Sequence, residues 1–568
     1  MPEVNIPALD LPRITADGQA RARVLDEHAR FHPEASSYVE YNSRGNLLIV
    51  GPTSRALACA RRLQGALRCL VLAHGPSAEG ESADADGVTV VSGRLSTLDG
   101  HLGNFSARVR AQGQEFDLAP LFGPRVEHID LVLDLGEAPA LGQDLLPFGY
   151  FAPRSEAQLE EALRTLPDMV GEFEKPKFFN YNAAICAHGR SGLEGCRRCI
   201  DACPALAIHS LGERIEVDPY LCQGGGSCAT SCPTGAITYA FPPVVDLLEA
   251  VGGALRAYLQ AGGSAPQVLF LDGEAGLAAF APMAGRIPES VLPFQVEEIG
   301  SVGMDTWLAA LAYGAERVVL FSTRAVPRSV LREISLQLTY ASAIVEGMGY
   351  SRDRLQLVLA GEYEGNGAQE ALCAAVASDG RARASFTPFA DKRTTLRLAL
   401  DHLHGVAPAP QPTAELPAGA PFGAIRVNPD TCTLCLSCVA VCPSKALYDG
   451  SDHPALRFIE GNCVQCGLCH AACPEDAIRL SPRIAYTPEL YREMRTLHEE
   501  EPFCCVSCGK PFATQAMMRR MSEKLAGHWM FRTEAARRRL QMCEHCRVQD
   551  MFAQEGGPDV YNKPPRDS

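Results

Sequence analysis

The sequence predicts a multidomain chain of α/β plus α+β class, and three observations predict it. Two stretches, at 46–136 and 267–359, alternate apolar strands with helical runs, as parallel α/β sheets do. Between and after them, cysteines recur in four runs that each end in Cys-Pro. The last helical and basic stretch carries two separated C-x2-C knuckles.

Composition narrows the function. The formal charge is -15, which argues against a nucleic-acid binder. Most of the 23 cysteines sit in metal-type spacings, which fits a reducing cytoplasm. The start M-P-E-V-N-I-P-A-L-D-L-P lacks the basic and apolar regions of a signal peptide, and no run of 18 apolar residues appears. A soluble cytoplasmic protein is expected.

Residues 1–43 are polar, with prolines at 2, 7, 12 and 33, and read as an amino-terminal arm free to wrap on a neighbouring domain. Residues 44–150 read as a degraded Rossmann-like domain: strand Asn46 to Gly51, helix Pro52 to Leu63, strand Arg68 to Ala73, and a further strand at Asp130 to Gly136. Where G-x-G-x-x-G is expected, the chain has Gly51, Thr53 and Ala56, and His74-Gly75 stands where an acidic residue would end the second strand. Bound FAD or another nucleotide is therefore disfavoured.

Residues 422–486 carry the strongest signal. C-T-L-C-L-S-C-V-A-V-C-P and C-V-Q-C-G-L-C-H-A-A-C-P are two complete C-x2-C-x2-C-x3-C-P runs, the ligand pattern of a bacterial-ferredoxin-like module with two [4Fe-4S] clusters. Three closely spaced thiolates reach three corners of one cube, and the cysteine before proline ligates the other. One cluster takes Cys432, Cys435, Cys438 and Cys473; the other takes Cys463, Cys466, Cys469 and Cys442. Zinc sites usually lack this full double run.

Residues 176–242 read as a damaged first copy. Cys186, Cys196, Cys199 and Cys203-Pro204 have an expanded first interval, and Cys222, Cys228 and Cys232-Pro233 have Gly225 in the second-cysteine slot. The crossing rule gives one [4Fe-4S] cluster to Cys186, Cys196, Cys199 and Cys232. Cys222, Cys228 and Cys203 remain as three ligands, suited to a [3Fe-4S] cluster or a cubane with one non-cysteine ligand. The other reading is a lost cluster, with Gly224, Gly225 and Gly226 making a flexible turn. After each Cys-Pro the chain continues to a small residue and an aliphatic: Ala207-Ile208, Ala236-Ile237, Ala446-Leu447 and Ala477-Ile478. Four matches indicate an internal duplication.

Residues 243–404 read as a second small α/β domain, with helices at Val244 to Leu259, Met304 to Tyr313 and Ser329 to Glu346 and strands at 267–272, Arg317 to Ser322 and Leu355 to Leu359. Its one cysteine, Cys373, implies a docking or scaffold role. Residues 405–421 are a Pro/Ala-rich linker. Residues 487–555 form a zinc-ribbon-like helical segment in which Cys505, Cys508, Cys543 and Cys546 make a closed tetrahedral site, for zinc or alternatively a single iron. Cys504 is a bystander, and Arg519, Arg520, Lys524, Arg537, Arg538 and Arg539 form a basic face, a solvated helix surface or a guide for an acidic partner. Residues 556–568 are a tail.

The runs I-C-A-H-G-R, C-R-R-C-I-D-A-C, V-D-P-Y-L-C-Q-G, A-Y-G-A-E-R-V, F-C-C-V-S-C-G-K-P-F and L-Q-M-C-E-H-C-R-V resemble the 4Fe-4S dicluster proteins encoded beside proteobacterial formate dehydrogenases, over about Leu47 to Phe552. H-L-G-N-F-S-A-R-V and D-L-V-L-D-L-G are more distantly similar to the flavoprotein component of heterodisulfide reductase. The 267–360 region is weakly similar to the small delta subunit of the hydrogenases that pair with that reductase, without its metal-binding cysteines. The resemblance implies a formate dehydrogenase or another oxidoreductase as redox partner.

The expectation is an electron-transfer protein that relays single electrons between a low-potential donor and a partner oxidoreductase. No residue stands out as a catalytic acid, base or nucleophile. Two alternatives remain: a flavin-dependent electron-splitting component of a larger oxidoreductase, and a maturation factor for a metalloenzyme.

Overall fold

The computed structural model describes residues 9, 11–28, 35–74, 83–85, 87–111, 113–362, 366–374, 378–451 and 453–553. The chain divides into two compact units: Met1–Ala183 with Arg197–Ala409, and Ala184–Cys196 with Pro410–Ser568.

In the first unit, the apolar run L-L-I-V at 47–50 is buried on both faces, as a central strand of a parallel sheet must be. The six-stranded sheet runs Tyr150–Phe151, Leu131–Asp134, Asn46–Pro52, Arg68–His74, Val88–Ser92, Ala83–Ala85. Only the last pairing is antiparallel. Helices Thr53–Leu63 and Glu156–Thr165 bury Ala56, Cys59, Ala60, Leu159 and Leu163 against one face. A three-stranded antiparallel sheet, Arg94–Asp99, Ser106–Ala111 and Gln114–Asp117, closes the other face through Ala107 and Val109.

The winding reverses between Asn46–Pro52 and Leu131–Asp134, where open α/β sheets hold their ligands. Gly51 has φ +151, and a Cβ on it would come 2.8 Å from the Cβ of Leu135. Asp134 accepts hydrogen bonds from the backbone N–H of Gly136 and Ala140 at 2.8 Å and from the Tyr150 hydroxyl at 2.5 Å. Gly51 thus serves the close approach of a loop.

The second sheet of this unit is four-stranded and parallel, in the order Val291–Val296, Gln267–Asp272, Arg317–Thr323, Leu355–Ala360. Helices Val244–Gln260, Met304–Ala312, Arg328–Glu346 and Lys392–Gly405 accompany it. Between the two sheets in sequence lie short ladders, Phe179–Tyr181 with Ile237–Tyr239 and Ile208–Ser210 with Ile215–Val217, and two single-turn helices, Arg198–Ala202 and Ser227–Ser231.

The second unit holds the ladder of Thr413–Glu415, Ile478–Ala485 and Gly423–Val427. A second ladder joins Leu447–Asp449, Ala455–Phe458 and Arg495–Glu499. Helices Ser437–Ala440 and Leu468–Ala471 carry the cysteine loops. A hairpin, Pro502–Cys504 with Pro511–Thr514, precedes helices Gln515–Leu525, Glu534–Leu540 and Glu544–Ala553, so the stretch after Tyr486 begins as strand rather than helix.

Three segments differ from the sequence reading. The stretch read as an arm contains helix Ala16–His28 and strand Tyr38–Ser43, the latter paired with Gly171–Pro176. The helix is held by polar anchors that no apolar stripe announces. Arg21 is fully buried and donates to the carbonyls of Pro288, Val291 and Pro12, while Asp17 accepts from the Tyr258 hydroxyl at 2.7 Å and the Ser264 N–H at 2.6 Å. The stretch read as a linker is partly ordered by neighbours within each unit: Ala409 N–H donates to Met348 O, and Leu416 N–H to Pro482 O. The expanded interval after Cys186 makes a hairpin, Gly189–Arg190 with Leu193–Glu194, turned by Ser191 and Gly192 at φ 55 and 74. Two positive φ values make the two-residue turn that suits the twist of paired strands.

Arg21→Ala strips three buried carbonyls of a charged donor. It is expected to lower unfolding stability by about 2–3 kcal/mol and to open residues 11–28 to limited proteolysis. Unchanged thermal unfolding and proteolysis would show that the helix is only loosely attached.

Candidate iron–sulfur and metal sites

The carboxy-terminal cysteine loops are built from a repeated backbone device. Leu434 and Leu436 have φ 51 and 59 on either side of Cys435, and Gln465 and Gly467 have φ 54 and 85 on either side of Cys466. Alternation of left-handed residues turns successive N–H groups inward and makes an anion-binding nest. The helices Ser437–Ala440 and Leu468–Ala471 start from the second left-handed residue of each pair. Cys432, Cys435, Cys438 and Cys473 line one cavity together with Leu434, Leu436 and Leu456. Burial, followed by Cys432, Cys435 and Cys473, pushes the Cys438 thiol up to about 12. Burial likewise pushes Cys466 up to about 12, with Cys463 and Cys442 among the thiols acting on it. Burial raises Cys469 as well, and Cys463, Cys466, Cys438 and Cys442 add to it. One of the crossed ligand sets thus lines a single cavity, while thiols of both sets act on Cys469.

A second device follows each Cys-Pro. Leu206, Gly235, Lys445 and Asp476, each three residues after a cysteine, have φ 49, 74, 50 and 49. The turn aims the next N–H back at sulfur. Ala207, Ala446 and Ala477 donate to the Sγ of Cys203, Cys442 and Cys473, each at 3.3 Å. At the fourth copy Ala236 N–H donates to Thr234 Oγ1, which itself lies 3.6 Å from Cys232 Sγ. This explains the recurring small residue: its N–H is the donor, and the aliphatic after it is buried in all four copies.

The three-cysteine site keeps the nest. Gly224 and Gly226 have φ 80 and 71 on either side of Gly225, the same alternation found around Cys435 and Cys466. The loop is not a flexible turn. A Cβ on Gly226 would collide with the backbone of Ser301, and Thr230 Oγ1 donates to Gly300 O at 3.1 Å. Lys392 Nζ donates to the carbonyls of Ala229, Thr230 and Cys232. Burial raises the Cys228 thiol most, then Cys222, Cys203 and Cys199. A Cβ on Gly225 would lie 2.8 Å from Pro204 Cγ, so a cysteine placed there meets Pro204 first.

The surroundings fit an absent inorganic group. The Tyr239 hydroxyl is buried and has no hydrogen-bond partner, an arrangement costing about 1–3 kcal/mol when nothing fills it. After burial, Glu298 and Glu297, the thiols Cys222 and Cys228 are among the groups that raise its pKa. Gln465 donates Nε2 to Cys463 Sγ at 3.3 Å, and its buried Oε1 is likewise unpaired.

Of the remaining predicted ligands, Cys186 and Cys196 fall in the second unit, while Cys199 and Cys232 fall in the first. Within the second unit, Gly195 packs on Leu468, where a Cβ would come 2.7 Å from Cγ, and Cys196 is among the thiols raising Cys466.

At the carboxy-terminal knuckles, the Sγ atoms of Cys505, Cys508, Cys543 and Cys546 lie within 4.8 Å of one another. Gly509 turns the first knuckle at φ 75, and its N–H donates to Cys505 O at 2.9 Å. Burial opposes ionisation of Cys505, but backbone donors from Cys543, Cys508 and Ser507 pull its thiol down to about 6. Cys546 is pushed the other way, to about 12, chiefly by its hydrogen bond with Cys508, and four thiols this close suit a structural cation. Cys504 lies outside the group. The basic face is partly spent on internal pairs: Arg520 with Glu475 at 2.8 Å and Arg539 with Asp550 at 2.6 Å.

Residues 424–474 match the family model of the 4Fe-4S dicluster domain, and residues 215–238 match that of the 4Fe-4S binding domain. The chain carries two ferredoxin-type iron–sulfur domains. No curated protein matches it as a relative. Among the described residues, no helix is long and apolar enough to cross a membrane.

Sequence reasoning missed Lys175. Its Nζ donates to Tyr220 O at 3.0 Å and Cys222 O at 2.6 Å, and it sits 5.0 Å from the Tyr41 ring centroid. Burial lowers its pKa to about 8, against Cys222 and Asp218. A single lysine on a polar strand gives no sequence signal of such a role.

Two outcomes test these sites. Cys508→Ser should lower thermal stability and metal content while leaving the iron–sulfur absorbance intact; loss of that absorbance would show that the knuckles hold iron–sulfur. Gly225→Cys should restore a full ligand run only when Pro204→Ala makes room, gaining about one iron per chain. The same gain from Gly225→Cys alone would show that Pro204 gives way.

Proposed function

We propose that the chain is a one-electron relay in which cysteine loops of ferredoxin type hold several iron–sulfur clusters. The observation that carries this is the repeated nest, present at both matched domains, together with the N–H···S turns after Cys203, Cys442 and Cys473. Cys432, Cys435, Cys438 and Cys473 would hold one [4Fe-4S] cluster, and Cys463, Cys466, Cys469 and Cys442 a second. The spacing supports a third for Cys186, Cys196, Cys199 and Cys232. Cys203, Cys222 and Cys228 would hold a [3Fe-4S] cluster or an incompletely ligated cubane. Cys505, Cys508, Cys543 and Cys546 would hold one zinc.

When bound, such clusters supply one-electron chemistry tuned by cluster type, burial and hydrogen bonds to sulfur. The chain's own groups bury the thiols and direct N–H donors at sulfur. The resemblance in the cysteine runs supports a formate dehydrogenase as partner oxidoreductase. The Rossmann-like reading of the first sheet is supported by its strand order, and the close packing of Leu135 on Gly51 favours a scaffold over a flavin site. The electron-splitting alternative needs that flavin. The assembly-factor alternative needs clusters that serve structure alone.

The test is anaerobic purification of the full chain with iron, sulfide, zinc and flavin analysis, then reduction by dithionite and reoxidation by cytochrome c. The expected result is several clusters, no stoichiometric flavin and rapid stoichiometric reoxidation. About one flavin per chain would favour the electron-splitting reading, and clusters that do not reoxidise would favour the assembly factor. The three-thiolate site makes a sharper prediction. Oxidised protein should show a near-isotropic paramagnetic signal from a [3Fe-4S] cluster, while the remaining clusters become visible only on reduction. Silence in the oxidised state, with iron sufficient for four cubanes, would mean that another ligand completes the site.

A further inference from the structure

We propose that the Lys175 ammonium is the counter-charge of the iron–sulfur cluster at Cys203, Cys222 and Cys228, and that it sets this cluster's reduction potential above those of the carboxy-terminal pair. The proposal rests on the reading that the three-thiolate site holds a cluster.

Lys175 stands on strand Gly171–Pro176, opposite Val39, with its Nζ 5.0 Å from the Tyr41 ring centroid. The contacts of Nζ are two carbonyls and an aromatic face, all neutral. Among the described residues it forms no ion pair with a carboxylate. Asp218, the nearest acid to act on it, is turned to the N–H groups of Tyr220 and Leu221 at 2.8 and 3.2 Å. A half-buried ammonium that holds a ligand's carbonyl and has no opposite charge beside it is poorly compensated. Cys222 is a thiol bearing on the loop whose carbonyl Lys175 holds. A cluster bound through thiolates is an anion, so binding it supplies the charge that Lys175 lacks.

The same charge has a redox consequence. Reduction adds one electron to an already anionic group, with no bond made or broken, and a nearby cation favours the more negative state. At the carboxy-terminal module Arg479 acts on Cys473, but it is exposed and paired with Asp476 at 2.5 Å. Electrons entering the relay would therefore collect at the three-thiolate site.

The test is a redox titration of the full chain with dithionite, followed by paramagnetic resonance, on wild type, Lys175→Gln and Lys175→Arg. Glutamine keeps a donor for the two carbonyls and removes the charge; arginine keeps the charge. The three-thiolate cluster should titrate above the carboxy-terminal pair in wild type, shift to lower potential in Lys175→Gln, and stay near wild type in Lys175→Arg. The carboxy-terminal potentials should not move. Loss of this cluster's signal and iron in Lys175→Gln with retention in Lys175→Arg would also support the counter-charge. An unchanged potential in Lys175→Gln, equal shifts or equal cluster loss in both variants, or a wild-type potential below the carboxy-terminal pair would overturn it. Wild-type protein with neither signal nor iron for this site would sink the underlying reading first, before any variant is compared.

Discussion

Thiols crowded into a buried loop cannot ionise together unless a positive core draws them in. In the carboxy-terminal module burial and neighbouring thiols hold Cys438 and Cys466 up near 12. The polypeptide alone thus favours protonated sulfur, and metal binding must release those protons. What the chain contributes is geometry prepared for the opposite charge state. Left-handed residues point N–H groups into the loops, and the turns after Cys203, Cys442 and Cys473 each point one more at sulfur. Cluster binding and completion of the fold are one event in such a module, because its core is lined by the ligands themselves.

That preparation carries strain. A left-handed side-chain-bearing residue costs about 1–3 kcal/mol. Leu434, Leu436 and Gln465 accept it beside Cys435 and Cys466. At the three-thiolate site glycines occupy both left-handed positions, so the nest forms there without that cost. The loop with glycine in the second-cysteine slot is also the one whose nest carries no left-handed side chain. Gly226 adds a second reason for glycine, since Ser301 leaves no space for a Cβ.

Much of this was legible in the sequence because period and spacing are local. The strands around Asn46, Arg68, Gln267, Arg317 and Leu355 and the helices from Val244, Met304 and Arg328 lie within a residue or two of where their apolar runs place them. The thiol groups of the carboxy-terminal module follow from ligand spacing, and the knuckles from C-x2-C pairs. What was not legible depends on long-range partners. Helix Ala16–His28 is fixed by Arg21 and Asp17, charged residues that read as solvent-facing. The nest around Gly225 is a matter of backbone sign, which three consecutive glycines leave undetermined. Lys175 acquires its role only because strand Tyr38–Ser43 holds it over Tyr220 and Cys222.

The two α/β sheets acquire a purpose from the same contacts. The strand ends of the second gather Asp272, Glu297 and Glu298 about a cavity, and at the reversal of the first Leu135 packs on Gly51. Each also reaches the three-thiolate loop. The strand carrying Lys175 continues the amino-terminal domain and holds Cys222 O. Gly300 and Ser301, which follow a strand of the second sheet, pack on Gly226 and Thr230, and Lys392 holds the end of the short helix between Cys228 and Cys232. A cluster held by three thiolates would have one covalent tie fewer to the chain. Packing and hydrogen bonds from the two sheets would replace that tie with many weaker ones, and would keep the loop fixed whatever the charge at its centre.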